Sequence, residues 1–496
     1  MKLSQKLLVS FGLVIATSFL SGSYYPTNTV KKTPKKPNIL FCIADDWGWP
    51  HAGAYGDKVV KTPTFDRLAN EGVLFDHAYV SSPSCTPSRS SILAGQYHWR
   101  LGESANLWST MDVDTPVYPL LLEEAGYHVG RWRKCWGPGD LKAGGYIDKN
   151  PGGKEYPEGF KQFLEAREDG TPFSFWLGAS DPHRGYEKGS GKASGIDIDK
   201  VQVPKFYPNE EEIRSDIADY YFEVQRFDND VNKAIQLLEE IGELENTIIV
   251  MTGDHGMPFP RCKSNLYDMG VRVPLVIRWG EKVKGNRRVK DFVSLTDLAA
   301  TFLEVADVTI PDQMTGKSLK PILLSKKEGW IEPKRDHVIF GKERHVPGQL
   351  APSLEGYPSR GIRTEHYSYI RNFYPERWPV GVPEGSSHPM NTFPDCDNGP
   401  TKTFLIEHSN DSNYKQYYQW SFAKRPAEEL YNIKVDPDQL NNLADNLEYK
   451  NIKKELSEKL IMLLTASKDP RMTSDGEKFD EYPYRAPYKL NDGNKN

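Results

Sequence analysis

Apolar residues fall along this chain in two alternating periods. Near-continuous apolar runs of strand length occupy residues 38–44 (NILFCIA), 73–80 (VLFDHAYV), 173–179 (FSFWLGA), 247–253 (TIIVMTG) and 274–279 (PLVIRW). Such runs suit strands covered on both faces. Between them the spacing becomes helical: Phe227, Val231, Ile235, Leu238 and Ile241 fall on one helical face at intervals of three and four. The stretch PTFDRLANEG sets Pro63 at a helix start and Gly72 just past its end. Strands alternating with helices predict an α/β fold, with a large, mixed but mostly parallel sheet sandwiched by helices.

The texture changes near Glu355. Short aromatic strands such as HYSYIRNF (366–373) alternate there with Gly-, Pro- and Asn-rich loops, and a last helical pattern covers 449–464. This predicts a larger domain over 38–354 and a smaller C-terminal α+β subdomain over 355–496. The beginning of the chain reads differently again. Lys2 and Lys6 open it, residues 7–20 are apolar, and Ser21-Gly22-Ser23 supplies small residues for cleavage. The expectation is a signal peptide over 1–23, a charged lead-in over 24–37, and export to the periplasm or medium. The apolar stretch is short for a membrane span, so no stable membrane anchor is expected.

Charge narrows the range of partners. Lys and Arg number 63 against 68 Asp and Glu, a net charge of −5 over 496 residues. That balance argues against general binding of nucleic acid or acidic membranes. An anionic substrate would need positive charge gathered in one pocket. The five cysteines (Cys42, Cys85, Cys135, Cys262, Cys396) are odd in number and scattered, with neither disulfide-framework nor zinc-finger spacing. At least one is left over, which in an exported chain calls for an explanation.

Polar residues gather where three strands end. Asp45-Asp46 follows the first strand, Asp181-Pro182-His183-Arg184 the run at 173–179, and Asp254-His255-Gly256 the run at 247–253. In open α/β sheets ligands bind beyond the carboxyl ends of strands. An aspartate after a strand is ordinarily a cap or turn residue. Two adjacent carboxylates met by a further Asp-His pair instead fit a hard divalent cation, Ca²⁺ or Mg²⁺.

One segment carries a resemblance. Cys85-Thr86-Pro87-Ser88-Arg89 is similar to the type I sulfatase signature Cys-x-Pro-Ser-Arg, and SSILAGQ (90–96) continues it. Asp45-Asp46, GDHG at 253–256, Lys263 and ELYNIKVDPDQLNNLA (429–444) resemble further landmarks of that family in order. ASDPHRGYEKGSG (179–191) and GMPFPRCKSNLY (256–267) resemble the branch containing N-sulfoglucosamine sulfohydrolases and bacterial ulvan sulfatases.

The resemblance implies an alkaline-phosphatase-like sulfatase fold and a Cys85 oxidised to formylglycine by a maturation enzyme. It implies one Ca²⁺ held by Asp45, Asp46, residue 85, Asp254 and His255. Arg89 would hold the hydroxyls of residue 85 and the charge beside the metal, Lys134 and Lys263 would bind sulfate oxygens, and His183 would give a proton to the leaving group. A sulfated polysaccharide or oligosaccharide is the expected partner, algal and ulvan-type first, heparan-type N-sulfoglucosamine second. Phosphomonoester or phosphonate hydrolysis and non-catalytic glycan binding are the other classes compatible with these residues. The loops at 341–364 and 394–403 are rich in charge and turn residues, and Arg344, His345 and Arg371 are the candidates for sugar contact. There is one departure. Many sulfatases place a histidine two or three residues after the pocket lysine, where this chain has Trp136 and Gly137.

Overall fold

Every residue of β1 (Asn38–Ala44) is buried, and its side chains divide between two cores. Ile39, Phe41 and Ile43 enter one, and Leu40, Cys42 and Ala44 enter the other. The two-residue period of an extended strand makes that division, and a core on each side explains a run that is apolar throughout. The computed structural model describes residues 8, 10, 35–473 and 476–492. The expected signal peptide, apart from Leu8 and Ser10, and the lead-in up to residue 34 lie outside the described residues. Among the described residues, no helix is long and apolar enough to cross a membrane.

Seven further strands flank β1: β2 (Val73–Tyr79), β3 (His128–Arg133), β4 (Lys154–Glu155), β5 (Phe173–Gly178), β6 (Thr247–Gly253), β7 (Leu275–Trp279) and β8 (Arg287–Ser294). Their order across the sheet is β4-β3-β5-β1-β6-β7-β2-β8. β7 runs antiparallel to β6 and β2, and every other pairing is parallel. The sheet is therefore mixed and mostly parallel, as the pattern predicts. The helix Glu211–Glu240 covers one face, burying Phe227, Val231, Ile235 and Leu238. Ile241 does not join them: the helix ends at Glu240, Gly242 follows with φ 67°, and Ile241 is left 46 % exposed. The helix Asp297–Val305 sits in the opposite core.

The second sheet has the order β12-β11-β10-β9 and is antiparallel throughout, from β9 (His337–Lys342), β10 (Ser359–Thr364), β11 (Tyr367–Asn372) and β12 (Glu428–Asn432). The helix Lys450–Ala466 packs Leu456, Leu460 and Leu464 against Ile339, Ile362, Tyr369 and Leu430 from this sheet. β9 precedes the boundary expected at 354/355. Its Gly341 N–H donates to Ser81 O at 2.9 Å, stitching it to the loop after β2, and the chain leaving it carries His345 toward the first sheet's carboxyl edge.

Candidate active site

β5, β1 and β6 are neighbours, so the three polar segments that follow them meet at one edge. Asp45 N–H donates to Asp181 O at 3.1 Å, and Asp46 N–H donates to Asp254 Oδ1 at 2.9 Å. Asp46 has φ 74°, a left-handed conformation that costs a non-glycine residue energy and is found where surroundings enforce it. Asp45, Asp46 and Asp254 are all buried. β5 ends in glycine for a steric reason: a Cβ at Gly178 would lie 1.8 Å from Lys134 O.

The fourth contribution comes from the helix Cys85–Ala94. Its N-cap, Ser84, is extended, and Gly95 closes it in the left-handed region at φ 61°. Cys85 is thus the first helical residue, where backbone N–H groups and the helix dipole favour anions. Its Sγ lies 3.3 Å from His255 Nε2 and 3.7 Å from Asp45 Oδ1. One turn on, fully buried Arg89 donates from Nε to Asp254 Oδ2 at 2.8 Å and from Nη2 to Asp45 Oδ1 at 3.4 Å. Its Nη1 donates to Lys134 O at 2.8 Å. Arg89 therefore holds two carboxylates and the Lys134 backbone rather than hydrogen-bonding residue 85. Burial pushes the Cys85 thiol up, outweighing Lys134 and Lys263. An unmodified thiol there stays protonated and unreactive.

Two lysines complete the floor. Lys134 Nζ donates to Asp45 Oδ2 at 2.6 Å and Oδ1 at 2.7 Å. Lys263 Nζ donates to Asp46 Oδ2 at 2.9 Å and lies 3.0 Å from Asp397 Oδ2. Burial pushes the Asp45 carboxyl up, but Lys134 and Arg89 overcome it and hold it well below the usual carboxylate range. Burial alone would lower both lysines, yet Asp45 raises Lys134, and Asp397 with Asp46 raises Lys263 strongly. Both ammoniums stay charged.

The donor set fits a hard divalent cation. Ligand atoms of Asp46, Cys85 and His255 lie within 4.8 Å of one another, as do those of Asp45, Cys85 and Asp254. Asp46 Oδ1 is buried with no hydrogen-bond partner. His255 Nδ1 lies 3.1 Å from Gly256 O, so it carries the proton and turns the Nε2 lone pair toward Asp46 Oδ1, 3.3 Å away. A backbone carbonyl fixing the tautomer of a ligating histidine is the usual arrangement at metal sites.

Above the floor opens a cavity of about 620 Å³. Cys85, Asp45, Lys134, Lys263, His183 and His345 all line it. His183 Nε2 is 4.0 Å from Asp46 Oδ2, and its Nδ1 lies 2.5 Å from Arg184 O. His345 Nδ1 lies 2.8 Å from Ser84 Oγ, beside the nucleophile position. The other two sugar-contact candidates are not brought in. Arg344 is buried and donates to Leu354 O, Tyr482 O and Pro483 O, tying the C-terminal segment down. Arg371 lies on β11 opposite Arg360, its guanidinium 5.5 Å from the Phe373 ring, outside the cavity lining. Trp136 and Gly137 also line the cavity, with Trp136 Nε1 donating to Ser90 Oγ at 2.8 Å. Sequence reasoning passed over Trp108, His388 and Asp397, which also line it. Asp397 lies in the turn-rich stretch 394–403, but nothing in the spacing singles it out.

A mostly parallel sheet between helices thus carries at its carboxyl edge a buried carboxylate cluster that would suit a divalent cation. Comparison with known proteins identifies the family. The chain matches the Sulfatase family over residues 37–308 and the N-sulphoglucosamine sulphohydrolase C-terminal family over 253–380. It is 26 % identical to an ulvan-active sulfatase of Formosa agariphila, over 90 % of this chain and 78 % of that protein. It is 28 % identical to human N-sulphoglucosamine sulphohydrolase, over 87 % of this chain and 91 % of that protein. The structure of BT4656 with its substrate D-glucosamine-2-N,6-O-disulfate shares the fold at a TM-score of 0.62 and 20 % identity, covering 88 % of this chain and 99 % of that one. The phosphonate monoester hydrolase of Agrobacterium radiobacter shares it at 0.60 and 18 %, covering 88 % and 97 %. The chain belongs to the sulfatase family and is a sulfuric ester hydrolase.

Proposed function

We propose that the protein removes sulfate from a sulfated glycan, ulvan-type O-sulfate first, using formylglycine at position 85 and one Ca²⁺. The observation that carries this reading is the cavity floor, where Cys85 sits at a helix N-terminus between Lys134 and Lys263 and beside three buried carboxylates. A sulfate monoester resists attack because its own oxygens are negative, so a site must neutralise them and activate a hydroxyl. Asp45, Asp46, Asp254 and His255 would hold the ion next to residue 85, and the ion supplies positive charge for both tasks. Formylglycine supplies a geminal diol, a nucleophile that can also release its sulfate, as serine cannot.

The chain's own residues do the rest. Each lysine ammonium has three donors, so Lys134 and Lys263 can keep Asp45 and Asp46 while binding sulfate oxygens. Arg89 holds Asp45 and Asp254 in place and, with Lys134, keeps Asp45 ionised. His183, with Nδ1 held by Arg184 O, turns Nε2 to the cavity, where it gives a proton to the leaving oxygen. The reading includes export and maturation by a formylglycine-generating enzyme. A second reading, hydrolysis of N-sulfoglucosamine, is supported by the match over 253–380.

Free-sulfate release separates the two. The protein, co-expressed with the maturation enzyme and supplied with Ca²⁺, is given matched ulvan-derived and N-sulfated heparin-derived oligosaccharides. Release from the first supports the O-sulfatase reading, and release only from the second replaces it. No release from either, with residue 85 shown to be an aldehyde, overturns both.

A further inference from the structure

The proposed chemistry leaves one carboxylate in the cavity unused. Asp397 lines the wall above the floor, its side chain 23 % exposed. Its Oδ2 lies 3.0 Å from Lys263 Nζ in an ion pair, and among the described residues no other group donates to it. Its position is built rather than incidental. Lys402 Nζ donates to Phe393 O, Cys396 O and Asn398 Oδ1 at 3.1, 2.8 and 2.9 Å, fixing the turn around it. Asp395, two residues earlier, is anchored by Lys342 Nζ at 2.7 Å and by Val346 N–H at 2.9 Å. A rigidly placed, partly exposed carboxylate on the cavity wall, held by one ion pair, keeps lone pairs open to a ligand in the cavity.

The rest of the lining shows what that ligand must be. Among the lining residues the cations are Lys134, Lys263 and Arg184. Arg184 is spent: its guanidinium forks onto Asp216 at 2.8 and 2.9 Å and donates from Nε to Pro258 O. Burial pushes the His345 imidazole down to about 3, so it adds no positive charge. Burial also lowers His388. Asp181, the other wall carboxylate, is paired with Arg226 at 3.2 Å. His183 is committed to the leaving oxygen of the scissile ester, so no lining cation remains for a second anionic group on the sugar. Charge balance agrees. Arg89, Lys134 and Lys263 offset Asp45, Asp46 and Asp254. Of a divalent ion's two charges, Asp397 then cancels one and a single sulfate monoester the other.

We infer that Asp397 determines specificity: the sugar residue carrying the scissile sulfate bears no second negative group, and it gives a hydroxyl or ammonium hydrogen to this carboxylate. The inference rests on the sulfated-glycan reading above. Trp108 and Trp136, also in the wall, offer faces for the ring of such a sugar.

The test is equilibrium binding to the Cys85→Ala protein with Ca²⁺, which cannot turn over. Four probes are titrated: a monosulfated neutral sugar released from ulvan, N-sulfoglucosamine, N-acetylglucosamine 6-sulfate and D-glucosamine-2-N,6-O-disulfate. At least one monosulfated probe is expected to bind about tenfold or more tighter than the disulfated one, the scale of one uncompensated like-charge contact. In Asp397→Asn that ratio falls toward one, in Asp397→Lys it inverts, and in Asp397→Glu it is retained. If Asp397→Asn weakens every probe equally, the residue merely steadies Lys263, and the inference is overturned. An unchanged ratio, or a wild-type preference for the disulfated sugar, overturns it too. Binding of no probe to any variant overturns the sulfated-sugar reading itself, and the inference with it.

Discussion

Replacing Arg89 with alanine tests whether the floor is held by charge. The guanidinium lies between Asp254 and Asp45, whose side chains are 0 % and 4 % exposed. Removing one partner from a buried ion pair costs about 3–5 kcal/mol, because a charge is left in the interior uncompensated. The lost bond to Lys134 O adds little, because Trp176 Nε1 still donates to that carbonyl at 3.2 Å. Asp45 also keeps Lys134 at 2.6 Å, so the lower end, about 3 kcal/mol, is the working figure. With a urea m-value of about 3 kcal/mol/M or more for a chain of this size, the midpoint should fall by roughly 1 M or less. Urea titration in chelator, followed by circular dichroism, measures it. The pair also predicts coupling: in a cycle with Asp254→Asn, the double variant should recover about 0.5–3 kcal/mol relative to additivity. A loss below about 1 kcal/mol, or strict additivity in the cycle, would refute the argument that these charges compensate each other.

Other outcomes follow from the same geometry. Cys85→Ser should show no steady-state sulfate release, because a serine sulfate has no second hydroxyl with which to expel its product; normal turnover would sink the mechanism. His183→Ala should lower kcat by about 10²–10⁴ on glycan substrates, and much less on a nitrophenyl sulfate, whose leaving group needs no proton. Equal losses on both would remove His183 from the proton-donor role. Asp395 bears on acid stability. Burial pushes its carboxyl up, but the Lys342 ammonium, helped by the Val346 N–H, overcomes this and holds it below the usual range. A depressed carboxylate stabilises the fold above its unfolded value of about 3.9 and loses that contribution as pH falls through the folded value. The stability gap between wild type and Asp395→Asn should therefore be widest above about pH 4 and narrow below it. Denaturant titrations across pH 2.5–6 read this directly, and a gap independent of pH contradicts it.

What the sequence alone determined is local. The run at β1 is apolar because both of its faces are buried, and that pattern survives without knowledge of its neighbours. The helix Cys85–Ala94 needs only its own residues to set Cys85 at the N-terminus and Arg89 one turn on. Carboxylates after three strands could likewise be read as one edge, because strand ends and ligand sites coincide in this fold class.

Tertiary structure decided the rest, since contacts between distant segments leave no period in the sequence. Arg344 and Arg371 look available as cations in a polar stretch; folding ties one to three backbone carbonyls and leaves the other out on β11, beyond the cavity. His345 stands next to Arg344 in the chain yet reaches the cavity, because the strand β9 delivers it beside Ser84. Asp397 resembles any acidic turn residue until Lys402 pins its loop and Lys263, 134 positions earlier, comes within 3.0 Å. Hydrophobic periodicity records which face of an element is buried. Which charges meet across the fold is recorded only by the packing that brings them together.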